Sequence, residues 1–278
     1  MSIREVKART IQSIAIAAGR SDDPYVLDAR ENFVRSVNES QIDEVLKQVG
    51  GGDGSELKRK DGRIKFGAAH SSSALAANAF GAWVDQTEGL NVAGIGGFSE
   101  IGFEEKFPTG LNGKAPNLDV WLPSNENPVA IESKFTEYLE SKKADFKDSY
   151  EGLVGEVAHQ SWASVYRDLK LNPRRYERID VAQLVKHYLG LRKAIQGGRF
   201  GAVTLVYLFW EPTNATDFDE FAAHRNDLDE IISRVDDPAV SFRSLSYPEL
   251  WEEWSSGDQP GWLPGHVAEL RARYEIAI

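Results

Sequence analysis

The chain of 278 residues has no cysteine and a single methionine. Without cysteine there is no disulfide, no thiolate metal site and no cysteine nucleophile, a composition compatible with the cytoplasm. No apolar run approaches the roughly 18 residues that indicate a membrane span, so no membrane helix is expected. The N-terminal stretch MSIREVKARTIQSIAIAAG interrupts its apolar positions with polar ones at helical spacing, which predicts a helix rather than a signal peptide. Cationic side chains are also in deficit: 32 Lys and Arg against 43 Asp and Glu leave a formal net charge of −11. That balance argues against a generic nucleic-acid coat, because phosphate binding is driven by Lys and Arg releasing counterions. The glycine-rich GGGDG at 50–54 lacks G-x-x-x-x-G-K, which excludes a phosphate loop and leaves a flexible break.

What is present is an ordinary globular composition, 41% hydrophobic and 27% charged, long enough to bury a sizeable core. No internal repeat or low-complexity linker divides it. The expectation is one domain over 1–278, with a helical N-terminal extension to about 66 and a C-terminal one over about 211–278.

The most informative stretch is FEEKFPTGLNGKAPNLDVWLPSNENPVAIESKFTEY, residues 103–138. GFEEKF, NLDVWL and VAIESKF alternate polar and apolar residues, as half-buried strands do, and PSNENP joins the last two as a hairpin-type connection. Strict alternation places Phe103 and Phe107 on one face and Glu104 with Lys106 on the other. It likewise sets Leu118 and Val120 against Asp119 and Trp121, and Ile131 and Phe135 against Glu132 and Lys134. Stacked, the strands would carry Glu104, Asp119, Glu132 and Lys134 on one patch. Neighbouring carboxylates raise one another's pKa, and a divalent cation relieves that repulsion. Mg2+ takes oxygen ligands and retains waters for a phosphate substrate. A lysine beside it could orient or deprotonate the attacking water, or neutralise charge on phosphate. The other reading of these residues is a solvated charged face on an antiparallel hairpin.

PNLD followed by ESK, with Asp119 thirteen positions before Glu132 and Lys134 two after, resembles the PD-(D/E)xK nuclease motif. The phrases FEEKFPTGL, PNLDVWL and IESKFTEYL resemble a bacterial family of restriction-endonuclease-like proteins. Looser similarity runs from His70 to Trp210, and Asn117 stands where the motif has proline directly before the aspartate. The resemblance implies an α/β fold, a mixed central sheet flanked by helices with an αβββαβ core over about 70–210. It implies a metal site of Asp119, Glu132, the Ser133 backbone carbonyl and Glu104, holding Mg2+ or Mn2+, with Lys134 as the catalytic lysine. Some subfamilies carry a glutamine on the helix after the lysine strand, and Gln183 matches it. Asp180 and Gln183 equally form a capping box, so both readings of Gln183 stand open. Lys186, one turn on, is a weaker candidate for phosphate contact.

Elsewhere the sequence predicts two or three helices over 2–49, with Phe33, Val34 and Val37 at helical spacing and Ser40 with Asp43 as a capping signal. LKRK-DG-RIKF predicts a hairpin turning at Asp61–Gly62. A helix over 70–86 is capped by Ser72 or Ser73, with Asn78 buried and His70 in a loop or cap. One helical stripe runs from Val154 to Leu169; a metal role for its neighbour His159 carries low weight. A further helix spans 180–198, and FGAVTLVYLFW at 200–210 is an interior strand. The C-terminal third predicts an acidic helix, an edge strand at SFRSLSY, a helix opened by Pro248 and a final helix using Val267, Leu270 and Tyr274. Trp251, Trp254 and Trp262 are assigned to packing. Lys58, Arg59, Lys60, Arg63 and Lys65, and Arg174, Arg175 and Arg178, form two basic clusters that are either phosphate contacts or solvated surface.

These readings converge on a metal-dependent nuclease acting on DNA, of restriction or defence type, with a homodimer as one way to cut both strands. A non-catalytic binding or assembly protein on a retained nuclease scaffold is the alternative, and an enzyme acting on another phosphate-containing substrate is a third.

Overall fold

The computed structural model describes residues 1–51, 56–113, 115–256 and 259–278. Most of the expected glycine break at 50–54 lies outside them; Gly50 and Gly51 end a helix. The chain begins with α1 (Ile3–Ala17), opened by a capping box between Ser2 and Glu5. Then comes α2 (Glu39–Gly51). Its cap is not Ser40 with Asp43: Asn38 and Gln41 exchange side-chain to backbone hydrogen bonds of 3.0 and 3.1 Å. Phe33, Val34 and Val37 are not helical either. The Val34 N–H is taken by the buried Asn78 and the Ser36 N–H by the half-buried Glu269, so side chains replace the helical ladder there.

Strands β1 (Arg59–Lys60) and β2 (Arg63–Ile64) form the expected hairpin. Asp61 and Gly62 both have positive φ, 52° and 79°, as a type I′ turn requires. Helix α3 (Ser72–Gly81) follows, capped by Ser71 rather than Ser72 or Ser73. Its Asn78 is fully buried and donates to Asn32 O, Ala74 O and the Tyr274 hydroxyl, tying the N- and C-terminal segments to this helix.

Strands β3 (Gly102–Lys106), β4 (Asn117–Leu122) and β5 (Val129–Lys134) are joined antiparallel. Two helices, not one, occupy the Val154–Leu169 stripe: α4 (Ser149–Val157) and α5 (Gln160–Leu171). The break is at Ala158, which is extended, and the His159 N–H turns away to the Tyr188 hydroxyl at 2.7 Å. Helix α6 (Val181–Gln196) leads to β6 (Val203–Phe209), then α7 (Asp219–Arg234), β7 (Val240–Ser246), α8 (Tyr247–Ser255) and α9 (Leu263–Tyr274).

The five strands β3 to β7 lie in sequence order in one mixed sheet, with β5, β6 and β7 parallel. All seven residues of β6 are buried, as a parallel strand covered on both faces demands. One face packs α1, α2, α3, α8 and α9 against Val120, Leu122, Ile131, Phe135, Val206 and Leu208. The other packs α4 to α7 against Leu118, Trp121, Leu205, Tyr207 and Phe209. The expected helix-flanked mixed sheet is therefore present, with its α3–β3–β4–β5–α6–β6 order. Trp251 and Trp254 are buried in the first face, as packing residues.

One glycine sets how closely α6 approaches the sheet. A Cβ on Gly190 would stand 2.3 Å from the Phe107 carbonyl oxygen and 3.1 Å from its Cβ. Gly190→Ala is expected to force α6 outward and destabilise the fold by about 1–3 kcal/mol, the usual cost of overpacking. Urea unfolding checks this, and an unchanged midpoint would show that the contact is not tight.

Candidate active site at a fork between strands

Strands β4 and β5 pair from Leu122 opposite Val129 to Val120 opposite Ile131 and then part. The next rung would set Asp119 against Glu132. There the Ser133 N–H donates instead to Asp119 Oδ2 at 2.7 Å. On the other side of β4, the register sets Glu104 opposite Asp119. Glu104 has φ of 55°, a left-handed conformation that is sterically costly for a residue with a side chain.

That rung corrects the expected parity. Phe103 and Phe107 do not share a face, and neither do Leu118 and Val120. Phe103 and Val120 pack on the α3 side, Phe107 and Leu118 on the α6 side. The left-handed residue rotates β3, and β4 loses its alternation at the same rung, so residues beyond it face the other way. Strand β5 keeps strict alternation: Ile131 and Phe135 face α3, while Glu132 and Lys134 face α6.

Helix α6 holds that pair. Gln183, His187 and Gly190 lie at i, i+4 and i+7, on one helical face. Gly190 brings this face against the sheet, where Lys134 Nζ donates to Glu132 Oε1 and to Gln183 Oε1, the latter at 3.0 Å. His187 Nε2 lies 2.9 Å from Glu132 Oε2, although neither atom has a well-aligned hydrogen bond among the described residues. The expected capping box is only half made: Asp180 caps the Gln183 N–H at 3.0 Å, but the Gln183 side chain reaches Lys134 instead of returning to Asp180. His187 escaped the sequence reading; its only signal was the four-residue spacing from Gln183. Lys186 points elsewhere, over the rings of Phe146 and Tyr150 at 5.4 and 6.0 Å. His159 Nδ1 engages Ser161 Oγ at 3.0 Å. The Ser133 hydroxyl meets the Tyr247 hydroxyl at 2.7 Å, and Glu104 Oε2 accepts from Asn117 at 3.2 Å.

Electrostatics separate the three carboxylates. Burial alone would raise the pKa of Glu132, but Lys134 and His187 outweigh it and hold the group down at about 2. Burial pushes Asp119 well above the usual aspartate range, and Glu132 and Glu104 push it further. Glu104 is raised too, by burial first, with Glu56 and Glu132 adding and Asn117 opposing. For Lys134, burial favours the neutral amine, yet Glu132, Glu137 and Asp119 raise it above its ordinary value. Lys134 therefore stays charged at neutral pH.

This donor set suits a hard cation. Asp119 Oδ1 accepts no hydrogen bond among the described residues, and Glu132 Oε2 is a buried oxygen without one. Among the described residues no three His, Asp or Glu side chains form a ready-made cage. Mg2+ does not need one, since it commonly takes one or two carboxylates and completes its shell with water and phosphate oxygens.

The chain belongs to the family described as restriction endonuclease associating with ARP, whose model matches residues 6–275. The match runs from α1 to the end of α9, so it includes the helices on both faces of the sheet. No curated protein and no solved structure matches the chain. No helix among the described residues is long and apolar enough to cross a membrane.

The opposed shifts make a pH-dependent prediction. A depressed Glu132 contributes stability above its ordinary pKa near 4.5 that is lost as pH falls towards 2. A raised Asp119 does the reverse: its contribution is complete below 3.8 and is lost as pH rises through the folded value. Asp119→Asn should therefore raise the melting temperature of the metal-free protein at pH 8, by about 2–4 °C for each ~1 kcal/mol recovered. The gain should vanish near pH 4. Calorimetry across pH checks this, and a lower melting temperature at pH 8 would contradict the assigned direction.

Proposed function

We propose, with that family membership as the premise, that the chain is a metal-dependent DNA nuclease of the PD-(D/E)xK type, serving restriction or defence. The observation that carries the reading is the fork itself. Asp119, disposed towards protonation, lies one unmade rung from a Glu132 kept ionised by a buried lysine and histidine. Asp119, Glu132 and the Ser133 carbonyl would hold Mg2+, or Mn2+ in its place, with Glu104 contributing to a second ion or its water shell. A bound cation would supply Lewis-acid chemistry, polarising the phosphoryl group and easing deprotonation of the attacking water.

The protein's own groups define the rest. Lys134 is charged and so is an electrostatic donor rather than a general base. Its ammonium, fixed by Glu132 and Gln183, can orient the water and stabilise negative charge developing on phosphate. Gln183 positions the amine from α6, and His187 supports the opposite oxygen of Glu132. Cleavage of both strands of a palindrome would suit a two-fold dimer.

Single-turnover cleavage of supercoiled, linear and single-stranded DNA with Mg2+, Mn2+ or EDTA tests the proposal. Wild-type protein should cut DNA with a divalent cation and stop with EDTA. Lys134→Ala should fold and bind metal but cut on the order of 100- to 1000-fold more slowly, the usual loss on removing one preorganised electrostatic group. Near-wild-type cutting by Lys134→Ala would remove the lysine from the mechanism. No cutting of any substrate by wild type would favour a binding scaffold.

A further inference from the structure

We propose that the β1–β2 hairpin and the groove beneath it are a docking track for the phosphodiester backbone of duplex DNA, continuous with the strand fork. The choice of DNA rests on the nuclease reading above; the polyanion chemistry rests on the groove. The groove has a volume of about 780 Å³. Five cations line it, Lys7, Lys58, Lys60, Arg63 and Lys65, against three anions, Asp61, Glu137 and Glu140. In a chain of net charge −11 this local excess of base is against the general trend.

Availability distinguishes these cations. Lys7 is occupied by Glu140, and Lys65 by Glu56 at 2.5 Å. Lys58 and Lys60 are exposed and carry no ion pair among the described residues. Among the described residues the one ion pair of Arg63 is a 3.8 Å contact with Asp23; it lies over the Tyr25 ring at 4.4 Å, and its side chain is exposed. A solvated tip would gain little from a rigid base, yet this hairpin is anchored firmly. Arg59 donates to Leu27 O at 2.8 Å, Asn32 donates to Phe66 O and Ala68 O, and Ile64 and Phe66 are buried. Preorganised cations lose less freedom on binding than mobile ones.

Position links the groove to the chemistry. Its wall includes Thr136 and Glu137, two and three residues beyond Lys134. The charge of Lys65 is felt at Asp119 and at Glu137. Glu137 and Glu140 also line a small cleft with Asp180, Lys134, Lys142 and Arg178, where Lys142 pairs with Asp180 at 3.5 Å and Lys134 with Glu132. The available cations near the end of β5 are therefore those of the hairpin groove.

The test is equilibrium binding of a fluorescent DNA duplex in EDTA, measured by anisotropy across salt concentrations. The triple variant Lys58→Ala, Lys60→Ala, Arg63→Ala changes only exposed side chains, and circular dichroism checks its fold. Each lost phosphate contact should reduce the slope of log K against log salt by about 0.9, so the triple variant should lose roughly two to three units and bind at least about tenfold more weakly. Arg167→Ala with Lys170→Ala, cations that do not line the groove, should leave the slope unchanged. An unaltered slope in the triple variant, or no wild-type binding at low salt, overturns the track whether or not the protein cuts DNA. A duplex RNA bound more tightly than DNA overturns the choice of ligand. A reduced slope in a protein that never cuts DNA supports the track and counts against the nuclease reading alone.

Discussion

The buried pair of Glu132 and Lys134 is the interaction on which the rest of the site depends. Both residues belong to the central strand β5 and are nearly inaccessible, at 2% and 8% exposure. Withdrawing two charges from water costs several kcal/mol per ion, and their attraction does not reliably return more than that. Apolar residues of similar volume would serve the core as well or better. The pair is therefore a weak stability device and makes sense as chemistry held in place: a carboxylate kept ionised and an amine kept charged at neutral pH.

The architecture supplies what that pair needs. Parallel pairing of β5 with β6 buries its flank, and α6 lies close enough, through Gly190, for Gln183 and His187 to engage the two ions. Antiparallel pairing with β4 ends one rung short, which leaves a backbone N–H for Asp119. Strain at Glu104 falls on the same rung. Sparsely populated backbone conformations persist only where surrounding structure enforces them, and they cluster at functional sites. Here the strain coincides with the rung at which β4 and β5 part.

What the sequence made legible follows from how local each feature is. The bounds of β4, the Asp61–Gly62 turn, Asp180 as the cap of α6 and the edge strand β7 rest on short-range alternation, turn chemistry or capping. The motif residues were likewise readable, because two-residue spacing fixes Glu132 and Lys134 on one side of β5. Parity in β3 was not readable, since nothing in GFEEKF announces a left-handed glutamate. The break between α4 and α5 depends on the Tyr188 hydroxyl, 29 residues away in sequence, and the non-helical Val34 segment on Asn78. His187 was hidden for the same reason: a lone histidine on an apolar helix gains a meaning only when the helix is docked. The basic run at 58–65 was visible, but that it shares a groove with Thr136 and Glu137, just beyond the end of β5, is a tertiary fact.

On the reading proposed above, the fork between β4 and β5 is a divalent-cation site. Anomalous diffraction from crystals soaked in Mn2+ tests it most directly. A peak is expected between the carboxylates of Asp119 and Glu132, within about 2.0–2.3 Å of an oxygen from each, the range for a small hard cation. That peak should be absent from Asp119→Asn crystals. A fully occupied Mn2+ elsewhere, with Glu132 still closed onto Lys134 and His187 and no density at the fork, would contradict it.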